Sequence, residues 1–236
     1  MATVVLAHGA WSAAWAWKKM RPLFRNAGHE FFSPTYTGLG ERAHLARPDI
    51  DLSTHVQDVL AVLETEDLTQ VTLLGHSYGG MVATGVADKA PDRIARVVNI
   101  DAFAPKDGQS LFDLLGPKGE AHMRAGAAKD GNGWKLPLNP MPPDTSPEDS
   151  AWAVPKRRPQ PIKTFEEKIR LTSAKFPPRH YIYAKKNGPG DVFRQFAERA
   201  RSEPGWTCHE IDASHNPHIT CPDVLMALLT QIMTGK

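Results

Sequence analysis

The sequence predicts an α/β protein with a mostly parallel central sheet flanked by helices and interrupted by one insertion. Short apolar runs alternate with longer amphipathic segments up to about residue 104 and again from 166 onward, the pattern of βαβ units. One of these runs, Val71–Leu74, has the character of a central parallel strand covered on both faces. Between 105 and 165 the alternation lapses, and eight prolines fall between Pro137 and Pro161. At 236 residues the chain fits one domain, because single cores stop growing near 250–300 residues.

Thr3–Ala7 is the first strand. Ser12–Ala27 follows as a helix burying Trp15, Met20, Leu23 and Phe24, and Gly28 suits its C-terminal turn. Glu30–Ser33 is a strand stopped by Pro34, and the Gly-rich, polar stretch Thr35–Asp51 is a loop. Ser53 caps a helix to about Glu66, with Val56, Val59, Leu60 and Leu63 at helical spacing. Val71–Leu74 is a central strand, Met81–Lys89 a helix, and Ala95–Ile100 the next strand. After the insertion come the strand His180–Ala184, the helix Val192–Arg201, the strand Thr207–Ile211 and the helix Pro222–Met233. The division is therefore a core of 1–104 plus 166–236 and a cap of 105–165, its Leu111, Phe112, Leu114, Leu115, Met123, Trp134 and Trp152 favouring a packed cap over a linker.

Composition narrows the function. Lys+Arg number 28 and Asp+Glu 26, a net charge of +2, so no bulk charge points to nucleic acid or an anionic membrane as partner. No run approaches the eighteen apolar residues of a membrane span, and because Met1–Gly9 lead straight into a strand-like run, no secretory leader is expected. Cys208 and Cys221 fit reduced thiols in the cytoplasm. The expected partner is a small molecule, with the protein acting as a monomer or homodimer.

The most informative stretch is Gly75-His76-Ser77-Tyr78-Gly79-Gly80, a G-x-S-x-G turn between an apolar strand and a helix. Such a turn strains Ser77 and projects its hydroxyl over the sheet, and a Cβ at 75 or 79 would strike the neighbouring chain. Serine needs a base. Of the ten histidines, His215 and His218 lie in the loop after the last strand, on the sheet edge where open α/β folds place their sites. His215, nearer the strand, is the candidate base, and His218 belongs to the following helix. A His-x-x-His metal site lacks the accompanying Cys or carboxylate cluster, so neither metal nor cofactor is expected. For the acid that orients the imidazole, Asp101 at a strand end and Asp191 after Gly188-Pro189-Gly190 both stand, with Asp101 favoured. The N–H groups of Ala10 and Tyr78 are candidate oxyanion donors.

Taken together, His8-Gly9-Ala10-Trp11, the Ser77 turn and the late His215 resemble the α/β-hydrolase superfamily, whose chain order is Ser, acid, His. Thr37-Gly38-Leu39-Gly40-Glu41-Arg42 and Asp101-Ala102-Phe103-Ala104-Pro105 resemble small bacterial esterases related to plant methylesterases and hydroxynitrile lyases. In those plant relatives the acid follows the strand matching His180–Ala184, which Asp191-Val192-Phe193 resembles, whereas the insertion-like Lys-Asn-Gly-Pro-Gly and Asp101 depart from that pattern. The lyases place lysine directly after the catalytic histidine. Asn216 stands there, which disfavours lyase chemistry.

The resemblance implies an α/β-hydrolase fold and a serine esterase cleaving a small, apolar or aromatic carboxylic ester through an acyl-enzyme. Trp11, Leu111, Phe112, Trp134 and Trp152 are the candidate substrate pocket. The alternatives are a lactone or C–C bond hydrolase or lyase on the same scaffold, and a non-catalytic small-ligand binding protein.

Overall fold

A computed structural model describes residues 1–235. The first half alternates β1 (Thr3–Ala7), α1 (Met20–Asn26), β2 (Glu30–Phe32), α2 (Leu52–Thr65), β3 (Val71–His76), α3 (Gly79–Lys89) and β4 (Ile94–Ile100). The insertion carries α4 (Leu111–Asp130), β5 (Lys135–Leu136), α5 (Pro147–Ala153), β6 (Gln160–Pro161) and α6 (Lys163–Glu166). The chain closes with β7 (Arg179–Ala184), α7 (Arg194–Ser202), β8 (Trp206–Ile211), α8 (Pro217–Thr220) and α9 (Pro222–Thr234).

Six strands form one sheet in the order β2-β1-β3-β4-β7-β8, and every pairing in it is parallel. Successive side chains of a strand face opposite ways, so each strand feeds two cores. Val5, Val97, Tyr181 and Tyr183 pack with α2, α3 and α7 on one face. Val4, Leu6, Val98, Ile100 and Ile182 pack with α1 and α9 on the other. The whole of β3 is buried, as befits a central strand covered on both faces. Strand order reverses between β1 and β3, and such a switch opens a crevice at the carboxyl ends of the strands.

The structure departs from the sequence reading by more than the shift of a residue or two seen at many element ends. The helix expected over Ser12–Ala27 is a 3-10 turn at Ala14–Trp17 followed by α1. The N-cap of α2 is Asp51, whose carboxylate accepts from Thr54 N–H at 2.8 Å. Ser53 instead gives its hydroxyl and its N–H to Glu167, at 2.6 and 2.7 Å. The insertion is also more ordered than its prolines suggest, because α4 carries a capping box between Ser110 and Asp113. This helix kinks at Gly116, whose φ of 75° precedes Pro117. Within the insertion β5 and β6 pair antiparallel. Among the described residues no helix is long and apolar enough to cross a membrane.

Candidate active site

Three strands end in strained backbone at the crevice. Trp11 after β1, Ser77 after β3 and Asp101 after β4 have φ of 58°, 55° and 42°, a region that costs a non-glycine residue on the order of 1–3 kcal/mol. At position 77 close packing enforces the bend. A Cβ on Gly79 would lie 2.0 Å from the Ala7 carbonyl oxygen, and one on Gly80 2.1 Å from that of Phe103. The start of α3 is thus pressed between the ends of β1 and β4. Ser77 is held there by its carbonyl, which accepts from Phe103 N–H at 3.0 Å. Neither the Ala10 nor the Tyr78 N–H finds an acceptor among the described residues, so two donors remain free beside the serine.

His215 follows β8. Its Nδ1 lies 2.7 Å from Asp101 Oδ2, which makes Nδ1 the protonated nitrogen and leaves Nε2 with the lone pair. The imidazole stacks on Phe193 with centroids 4.6 Å apart. Its backbone is fixed by His76, whose Nε2–H donates to the His215 carbonyl at 2.8 Å. Asp101 is fully buried and also accepts from Ala184 N–H at 3.2 Å and Asn187 Nδ2 at 2.9 Å.

Asp191 is engaged elsewhere. It accepts from the Tyr183 hydroxyl at 2.7 Å, Phe193 N–H at 2.9 Å and Asn187 Nδ2 at 3.3 Å. Of the two candidate acids, Asp101 is the one whose carboxylate meets His215. His218 sits in α8, stacked on Trp17 at 4.6 Å, and burial pushes its pKa down to about 3. Burial likewise drives His76 well below the usual histidine range. Asn187 and His76 were not singled out from the sequence, where one lies in a Gly-Pro turn and the other reads as a flank of the serine.

Ser77 and His215 line one cavity of about 590 Å³, together with Ala10. Among the described residues no hydrogen bond yet joins Ser77 Oγ to the imidazole; in ligand-free sites such contacts are commonly long and tighten with substrate. Of the expected pocket residues, Trp11 lines this cavity. Leu111, Phe112, Trp134 and Trp152 do not, and the expectation is corrected for them. Leu111 and Phe112 are buried in the core beneath, where Phe112 meets Phe165 at 5.7 Å. Trp134 packs on the same cluster from its rim, and Trp152 lies edge-on to Trp15 at 5.4 Å. From the insertion the wall is made instead by residues 139–143 and Arg157.

Residues 4–228 match the model of the alpha/beta hydrolase family. The chain belongs to the α/β-hydrolase family. Among similar α/β-hydrolases, a carbendazim hydrolyzing esterase of Nocardioides sp. (strain SG-4G) is 35% identical over 98% of this chain and 100% of its own. A putative chloroplastic methylesterase 13 of Arabidopsis thaliana is 26% identical over 97% of this chain and 55% of its own. A solved extracellular α/β-hydrolase from a Paenibacillus species, described as sharing structural and functional homology with tobacco salicylic acid binding protein 2, superimposes with a TM-score of 0.85. It is 27% identical, with 98% of each chain covered.

Proposed function

We propose that this α/β-hydrolase is a carboxylic ester hydrolase working through an acyl-enzyme, with 105–165 acting as a cap over the site. The observation that carries the reading is the 2.7 Å contact of Asp101 Oδ2 with His215 Nδ1, in a cavity shared by His215 and a serine on a strained turn. The similarity to proteins named esterases supports it.

Ser77 Oγ attacks the ester carbonyl carbon and yields its proton to His215 Nε2. Asp101 holds the tautomer and stabilises the imidazolium. The oxyanion of the tetrahedral intermediate is placed against the free N–H groups of Ala10 and Tyr78. On collapse the carbon–oxygen bond to the alcohol breaks, and the alcohol takes the proton from His215. Water then attacks the acyl-serine, gives a proton to His215, and the acid leaves as Ser77 is reprotonated.

Trp11, Trp15 and Met141 on the cavity wall suit an apolar or aromatic part of the ester. The two free cysteines accord with a cytoplasmic setting. A fluorophosphonate probe and a series of p-nitrophenyl esters test the assignment. The wild type is expected to be labelled and to turn over esters, and Ser77→Ala to do neither. A Ser77→Ala variant that cleaves as fast as the parent would overturn the mechanism.

A further inference from the structure

The charged groups of the cavity wall are unequal. Arg157 and Lys186 both line it, and among the described residues no aspartate or glutamate does. Lys186 is already neutralised, its Nζ lying 2.9 Å from Asp212. Arg157 is not. The residue is half-buried, and its guanidinium donates from Nη1 to the Asn139 carbonyl at 2.6 Å and from Nη2 to Asn139 Oδ1. Both acceptors are neutral, and no carboxylate among the described residues lies within ion-pair distance.

A partly desolvated cation without a counter-ion is costly, and burial lowers its pKa. A guanidinium carries five N–H donors in a planar fork, of which Asn139 engages two. The other three find no acceptor among the described residues, on a side chain that lines the cavity. The position is close to the chemistry, since Arg157 Cζ stands 5.9 Å from the centre of the Trp11 ring, and Trp11 directly follows the candidate oxyanion donor Ala10. The Arg158 N–H donates to the Trp11 carbonyl at 3.2 Å, which anchors the arginine to that loop.

We infer that Arg157 is a specificity residue recognising a carboxylate on the ester substrate, remote from the bond that is cut. This deepens the esterase reading and rests on it. The substrate class is a half-ester of a dicarboxylic acid: one carboxyl is esterified and presented to Ser77, the other is free and paired with the guanidinium.

The test compares monomethyl with dimethyl esters of succinate, glutarate and adipate. At the chain length that spans the site, the wild type is expected to prefer the monomethyl ester by about tenfold or more in kcat/KM, the scale of one charge-assisted, bidentate pair. Raising the ionic strength should erode that preference. Arg157→Gln is expected to collapse the monoacid-to-diester ratio through KM, and Arg157→Lys to keep part of it. Equal or better cleavage of every diester by the wild type would overturn the inference, as would an unchanged ratio in Arg157→Gln. If Arg157→Gln does not fold, the wild-type series and its salt dependence decide.

A binding arm separates the two readings. Ser77→Ala is titrated with the same monomethyl esters by calorimetry. Charge-dependent binding without any ester cleavage by the wild type would sink the esterase reading and leave the Arg157 site standing. Ester cleavage without charge preference would do the reverse.

Discussion

At position 101 a single carboxylate oxygen decides which nitrogen of His215 carries the proton. Replacing Asp101 with Asn offers an amide N–H where Nδ1–H now donates, favours the wrong tautomer, and is expected to lower turnover of acyl esters by about 10³–10⁴-fold, as such amide substitutions can. Asp191→Asn should cost less than about tenfold, because Asp191 makes no direct contact with His215 and reaches it only indirectly, through the Asn187 amide it shares with Asp101 and through Phe193. Steady-state kinetics of the two variants check this, and the opposite ranking would transfer the role to Asp191. The sequence showed Ser77 and His215 through their turn and strand contexts but left both acids open. Spacing along the chain says nothing of the direction in which a left-handed residue aims its side chain, and the φ of 42° at Asp101 is what turns that carboxylate to the imidazole.

Among the elements, the central strands β1, β3 and β4 were the most legible, because they are short, mainly apolar runs that are largely buried. The long helix α4 was not. Gly116, Pro117, Gly119 and Gly126 interrupt it, and few of its side chains are buried, so no apolar stripe marks it; the Ser110–Asp113 capping box was the available signal. A second link invisible in sequence joins β6 to the loop after β1. The buried Gln160 accepts from Trp11 N–H at 3.2 Å while its own amide donates to Thr164 Oγ1 at 2.9 Å. The insertion thereby holds the strained Trp11, and with it the adjoining Ala10, the proposed oxyanion donor. Gln160→Leu leaves that N–H without an acceptor and is expected to lower kcat on the order of 10–100-fold with little change in KM, the scale of a small misplacement near the chemistry. Gln160→Glu, which keeps the acceptor oxygen, should recover part of the loss. A role confined to stability would lower the melting temperature and leave kcat alone.

For the whole molecule, acid is the expected weakness. His8, His55 and His218 are buried and neutral, each with its pKa driven down to about 3 by desolvation. His8 Nε2 accepts from Tyr36 N–H at 3.2 Å, a bond that protonation abolishes. An unfolded histidine titrates near 6.5. Between that value and about 3 the unfolded chain therefore binds more protons than the native one, and stability falls as pH falls through this window. At pH 5 the loss is on the order of 2 kcal/mol for each such histidine. Melting temperature should be flat above neutrality and drop steeply from pH 6.5 downward; a flat profile to pH 4 would contradict the burial of these rings as neutral groups. The parallel sheet was foreseeable from its apolar runs, whereas the protonation state of these histidines depends on neighbours from distant segments, such as Tyr36 beside His8. The left-handed turns at 11, 77 and 101 carry a consequence of another kind. A laboratory lineage selected only for heat resistance would gain by relaxing those three positions, and each gain would dismantle the reactive geometry, so robustness and turnover in this molecule are opposed at the same few backbone angles.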